Sequence, residues 1–390
     1  MDLDYIFMPA IILGVGVLVI WLSLRRALSL SVKVRHKGRR MAERIVLWPV
    51  IVLVVAITAS STFNAIVIWS FRPRDPTPGN IYLVNGHKMH IDCTGTGSPT
   101  LVLESGLGSS WEIWYRVQPE LSKATRVCSY DRAGYGYSDA QPAPRDADHI
   151  ADELHSLLFQ ARINGPIVLM GHSLGGLFIR DYATRYPKDI AGLIFVDAVT
   201  PQWGLGQIEA PPRWVTGLGI RMACSTDSTP LVGSCVWPRP GSAPRWKMAL
   251  EGLCHPQICA VEPESDSFQR SGEETVRTGP YGTLPVLILS HDPAKALHPA
   301  KWGNAWSEVQ GRVSLFFWRA RPVNWEIAWS RMQEDLMKLS TRSRRIVAKN
   351  CAHMIQLDRP DLIEKEVSLF IEQVRGAKPQ PSDYGSTLTE

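Results

Sequence analysis

The stretch PIVLMGHSLGGLFIRDYATRY, Pro166 to Tyr186, constrains the fold more than any other part of the chain. Pro166–Met170 is a continuous apolar run, too short for a helix and bounded by glycine. It reads as a strand covered on both faces, the pattern of a parallel sheet. Leu174–Tyr186 continues with helical spacing and stops at Pro187. A strand that becomes a helix across so few residues leaves no room for bulk beside Ser173, and Gly171, Gly175 and Gly176 provide that room.

The alternation extends in both directions. Pro99–Leu103, Thr125–Tyr130, Gly192–Val196 and Val286–Leu289 are further buried-strand candidates, with Arg345–Ala348 a weaker one. Ile150, Leu154, Leu157, Leu158 and Ala161 mark an amphipathic helix over Asp148–Ala161. Upstream, IYLVNGHKMHIDCTGTG predicts a hairpin whose turn is Asn85-Gly86, the residues that tolerate two positive φ angles. Strands alternating with helices predict an α/β fold, a mostly parallel central sheet with helices on both faces. Its core is expected at 80–200 and 281–375. The alternation lapses over 201–280, which carries Trp203, Trp214, Trp237 and Trp246 and reads as a cap insertion at the sheet edge where strands end. The polar residues 376–390 read as a disordered tail.

The first 71 residues have a different character. Tyr5–Leu24 and Ile45–Phe71 are uncharged, mostly apolar runs long enough to cross a bilayer as helices. The chain opens MDLD, not with the basic start of a secretory signal. Between the runs, Arg25–Arg44 holds eight Lys/Arg and one acid, a net +7 against +5 for the whole chain, which leaves the remainder at −2. Short basic loops stay cytoplasmic, so two spans would place everything from about Arg72 onward outside the cytoplasm. The basic loop also suits anionic lipid headgroups. Charge confined to that loop argues against nucleic acid as a partner.

Of seven cysteines, Cys224, Cys235, Cys254 and Cys259 lie in the cap insertion, where an extracytoplasmic location would allow one or two disulfides. Their connectivity is not readable from spacing. Neither CHPQIC nor the His87/His90 pair has a second ligand pair at metal spacing, and the hairpin histidines read as solvated polar surface. No metal and no organic cofactor is expected.

A serine hydroxyl becomes nucleophilic only when a base takes its proton. Among ten histidines, His353 in KNCAHMIQLDRPDLI lies just past the last strand candidate, where a loop can reach the Ser173 turn. His172 adjoins the serine, but so sharp a turn directs it away, and packing or bonding beside the turn is its expected role. The acid should follow a strand between nucleophile and base. Asp292 in LILSHDP is the first choice and Asp197 in LIFVDA the alternative. Two backbone donors for an oxyanion are expected from Leu174, next after the serine, and Leu107 in ESGLGSS.

ESGLGSS, SYDRAGYGYSD, GHSLGG and AHMIQLDRPDL, in this order, resemble the α/β-hydrolase fold superfamily from about Asn80 to Val374. The resemblance implies Ser173 as nucleophile, His353 as general base, and Leu107 and Leu174 as oxyanion donors. Two departures stand out: LSHDP lacks the G-x-x-D often found there, and Ser105 replaces the usual histidine. With the two apolar runs, this implies a membrane-anchored serine hydrolase cleaving a carboxylic ester, and the tryptophans of the cap suggest an apolar acyl or aryl group. The alternatives are acyl transfer or cofactor-free peroxidation on the same residues, or a non-catalytic receptor or scaffold.

Overall fold

A computed structural model describes residues 78–141, 144–204, 263–292, 324–376 and 387–389. Strands β1 (Asn80–Val84), β2 (His87–Thr94), β3 (Thr100–Glu104), β4 (Val127–Tyr130), β5 (Ile167–His172), β6 (Ile190–Val196), β7 (Val286–His291), β8 (Ser343–Ala348) and β9 (Thr387–Thr389) form one sheet. Their spatial order is β1-β2-β4-β3-β5-β6-β7-β8-β9. β1 and β4 flank β2 antiparallel, and every other pairing is parallel.

The middle of the sheet is covered on both faces because Leu101–Leu103, Ile167–Met170, Leu193–Val196 and Val286–Leu289 are unbroken apolar runs, as two-sided burial demands. Val102, Leu169 and Leu193 stand side by side in register and face one core. That core also takes Leu154, Leu157 and Leu158 of helix Ala147–Gln160 and Ile179 and Tyr182 of helix Gly175–Arg185. One residue on, Leu103, Met170, Ile194 and Leu287 face the opposite side. There they meet Trp114 and residues Leu362, Ile363, Val367, Phe370 and Ile371 of helix Pro360–Val374. The sheet is thus the middle layer of three.

Asn85 (φ 49°) and Gly86 (φ 90°) make the expected hairpin turn. Its histidines are not solvated: His90 is fully buried, with Nδ1 2.7 Å from Asp131 Oδ2 and Nε2 2.7 Å from the Pro78 carbonyl. A local hairpin pattern could not show that the chain after β4 folds over this rim. The sequence reading did not anticipate a disulfide within the core. Cys93 and Cys128 stand directly opposite on β2 and β4 and form a disulfide. The cap cysteines, from Cys224 to Cys259, lie outside the described residues. In the tail, Thr387–Thr389 adds to the edge of β8, so disorder does not hold for those three residues. An open strand edge offers unpaired N–H and C=O groups, which a short β-branched segment can complete.

Among the described residues no helix is long and apolar enough to cross a membrane. The expected spans, residues 5–24 and 45–71, lie outside the described residues, as does most of the cap insertion.

Candidate active site

The site begins at the end of β5. Ser173 has φ 52°, a left-handed backbone that non-glycine residues rarely adopt. Such strain persists only where the surroundings over-determine it. Its N–H donates to the Val196 carbonyl at 3.1 Å, and its carbonyl accepts from Val199 N–H and Gly176 N–H, both at 3.0 Å. Close packing completes the constraint. A Cβ on Gly171 would lie 2.7 Å from the Gly175 oxygen, and one on Gly175 2.8 Å from the Glu104 and Ser105 oxygens.

His353 reaches this turn from the far end of the sheet. Its Nε2 lies 3.0 Å from Ser173 Oγ and its Nδ1 2.6 Å from Asp197 Oδ2. A proton on Nδ1 therefore leaves the Nε2 lone pair facing the serine hydroxyl. The loop is fixed on both sides of the imidazole. Asp358 accepts from Ala352 N–H at 3.0 Å, and Asp292 accepts from Asn350 N–H at 3.1 Å. His172 Nε2 donates to the His353 carbonyl at 3.1 Å. Burial, and secondarily the nearby His353 charge, pushes the His172 imidazole down to about 3, so it is a neutral donor.

The carboxylate against His353 is Asp197, not the first-choice Asp292. Both imidazole nitrogens are occupied by Ser173 and Asp197, while Asp292 holds the loop two residues ahead of Cys351's neighbour Ala352. Asp197 is fully buried and itself left-handed (φ 46°). Burial alone would raise its pKa. Hydrogen bonds and charge from His291 and His353 outweigh that and hold the carboxyl well below the usual range. His291 donates from its backbone N–H (3.1 Å) and from Nδ1 (2.7 Å to Oδ2), and Trp329 Nε1 donates at 3.0 Å. His291 and Trp329 escaped the sequence reading. The first sits beside Asp292 in LSHDP and was hidden by its neighbour; the second, on helix Asn324–Met337, had no local signal.

The oxyanion candidates flank the serine. Leu174 precedes helix Gly175–Arg185, a position whose N–H has no intrahelical acceptor. The Leu107 turn presses against Ser173: a Cβ on Gly106 would stand 2.9 Å from His172 Nδ1 and 3.1 Å from Ser173 Cβ. Ser105 is itself held in the turn, since its Oγ donates to the Ser110 carbonyl and accepts from Trp114 Nε1. Among the described residues no three His, Cys, Asp or Glu side chains cluster as metal ligands.

Residues 99–219 match the family model described as the alpha/beta hydrolase fold. Over 126 residues the chain is 32% identical to the uncharacterised protein YbdG of Bacillus subtilis, covering 32% of this chain and 39% of that protein. Over 125 residues it is 32% identical to the (lyso)-N-acylphosphatidylethanolamine lipase of Bos taurus, covering 30% and 35%. The chain therefore matches well under half the length of these relatives. Among solved structures, the epoxide hydrolase CorEH is similar with a TM-score of 0.50 at 16% identity, over 76% of this chain and 99% of that one. The chain has the α/β-hydrolase fold, and a fold shared at that identity says nothing of the reaction.

Proposed function

We propose that this protein is a membrane-anchored serine hydrolase that cleaves a carboxylic ester through an acyl-enzyme. The observation that carries the reading is the His353 imidazole, bonded on one side to Ser173 Oγ and on the other to buried Asp197. Ser173 Oγ attacks the ester carbonyl while His353 Nε2 takes its proton, and Asp197 holds the imidazole and stabilises its charged form. The Leu107 and Leu174 N–H groups bind the oxyanion. His353 returns the proton to the leaving alkoxide. Water, deprotonated by the same nitrogen, then releases the carboxylic acid and restores the serine. No cofactor enters.

The substrate class follows from what the chain resembles and where it sits. A lipase among the relatives supports an ester with an apolar acyl group, presented at or near a bilayer. Two apolar runs flanking a basic loop support anchoring with the catalytic domain outside the cytoplasm. The Cys93–Cys128 disulfide suits that oxidising side. The test is covalent labelling of the purified full chain with a fluorophosphonate. Wild type should label stoichiometrically and Ser173→Ala not at all; a folded wild type that stays unlabelled would leave only a binding role for this site.

A further inference from the structure

The motif DRAGYGYSD has no part in the steps above, yet its arginine is the most fully bonded cation near them. Arg132 is 3% exposed, and all five of its N–H groups meet acceptors. Nη1 donates to Glu104 Oε1 at 2.6 Å and to the Ser105 carbonyl at 2.7 Å. Nη2 donates to the Gly106 carbonyl at 3.0 Å and to Glu264 Oε2 at 2.9 Å, and Nε donates to Glu264 Oε1 at 2.7 Å. Tyr135 OH donates to Glu264 Oε2 at 2.9 Å and accepts from Gly108 N–H at 3.4 Å.

The two backbone acceptors matter most. The Gly106 carbonyl and the Leu107 N–H belong to one planar trans peptide, whose C=O and N–H point in opposite directions. A guanidinium that fixes the carbonyl on one side therefore fixes the N–H toward the other. A cation on that oxygen also polarises the amide, which makes its N–H a stronger donor. The guanidinium is aimed in turn by Glu264, whose two oxygens match one edge of the fork. That glutamate comes from outside the parallel core, within the segment between β6 and β7.

We propose that Arg132 is the positioning residue of the oxyanion turn, clamping the Ser105 and Gly106 carbonyls so that Leu107 N–H faces the reacting carbonyl, and that Glu264 sets its aim. This rests on the hydrolase reading above. An ion cluster that served packing alone would move stability but not the balance between ground-state and transition-state binding.

The experiment uses the full chain with p-nitrophenyl butyrate as substrate, phenylboronic acid as a tetrahedral mimic and butyrate as a product ligand. Arg132→Lys keeps a cation but loses the planar fork. It should lower kcat by about tenfold or more and weaken phenylboronic acid in proportion, because a displaced oxyanion donor acts in the transition state. KM and butyrate inhibition should stay within about twofold. Glu264→Gln should shift kcat and boronic acid binding in the same direction, by about threefold or more. Tyr135→Phe removes only the hydroxyl that joins Glu264 to Gly108, and it decides the matter if Arg132→Lys does not fold. Folded variants that keep wild-type kcat and boronic acid affinity overturn the proposal. A wild type that fails to take up a fluorophosphonate sinks the hydrolase reading first, and this one with it.

Discussion

Replacing Asp197 by asparagine is the sharpest test of which carboxylate serves His353. In the proposed reaction, proton transfer from Ser173 would make an imidazolium whose Nδ1 lies 2.6 Å from Asp197 Oδ2. With charge centres about 4 Å apart and an effective dielectric near 20, the carboxylate stabilises that cation by about 4 kcal/mol. Its loss alone lowers kcat by about a thousandfold. The asparagine amide also favours the wrong imidazole tautomer, which carries the expected loss to about 10³–10⁴-fold. Asp292→Asn keeps an oxygen for Asn350 N–H and should leave kcat within about threefold, since the loop bond survives.

The assay is hydrolysis of p-nitrophenyl butyrate, read only on variants shown to be folded by thermal melting. That check matters here, because the asparagine NH2 must face at least one of the donors now held by Asp197. The mismatch should cost about 1–3 kcal/mol of stability. If Asp292→Asn loses a hundredfold or more while folded Asp197→Asn stays within tenfold, the assignment from these distances is wrong.

Two further outcomes follow from the same region. His172 titrates at about 3 in the folded chain against an ordinary 6.5, so the unfolded chain takes up its proton first on acidification. Its share of stability is complete above about 6.5 and is lost as pH falls toward 3, about 5 kcal/mol in total. Glu104 works the other way. Burial, only partly offset by Arg132 and Tyr130, holds it up at about 6 against 4.5, so its share is lost as pH rises through that window. Urea unfolding of wild type against His172→Asn cancels the Glu104 contribution; the variant should lose up to about 1.4 kcal/mol of slope per pH unit near pH 5, and equal slopes would contradict a neutral buried imidazole. Gly176→Ala would place a Cβ 2.4 Å from Ala198 Cβ, which must part the helix from the strand end. It should cost about 1–3 kcal/mol by thermal melting, and an unchanged midpoint would contradict so close an approach of helix and strand end.

The architecture was legible because burial on both faces writes continuous apolar runs, and the strands at 99–103, 166–170, 192–196 and 286–289 each found a place in the sheet. The turn at Ser173 was legible for the same kind of reason: clash excludes side chains at Gly171, Gly175 and Gly176, and that exclusion shows in one dimension.

The carboxylate that meets His353 was not, and the cause is local. Asp197 and Asp292 both follow apolar runs, on strands that lie side by side, with Val196 opposite Leu289. The apolar run of β7 ends at Leu289, but the strand continues through Ser290 and His291. Pairing of Ser290 with Val347 and of His291 with Ala348 on β8 holds those polar residues in the sheet. The two extra residues carry Asp292 past the edge at which Asp197 emerges and leave it bonding the Asn350 loop. A continuous apolar run reports where a strand is apolar, not where it ends, and two further residues of β7 decide which carboxylate meets the imidazole. Asp197→Asn and Asp292→Asn are therefore a test of strand length as much as of chemistry. If the two aspartates exchanged roles, β7 would have to stop at Leu289, and the amide of His291, which now donates to Asp197, would exchange with solvent instead of being protected.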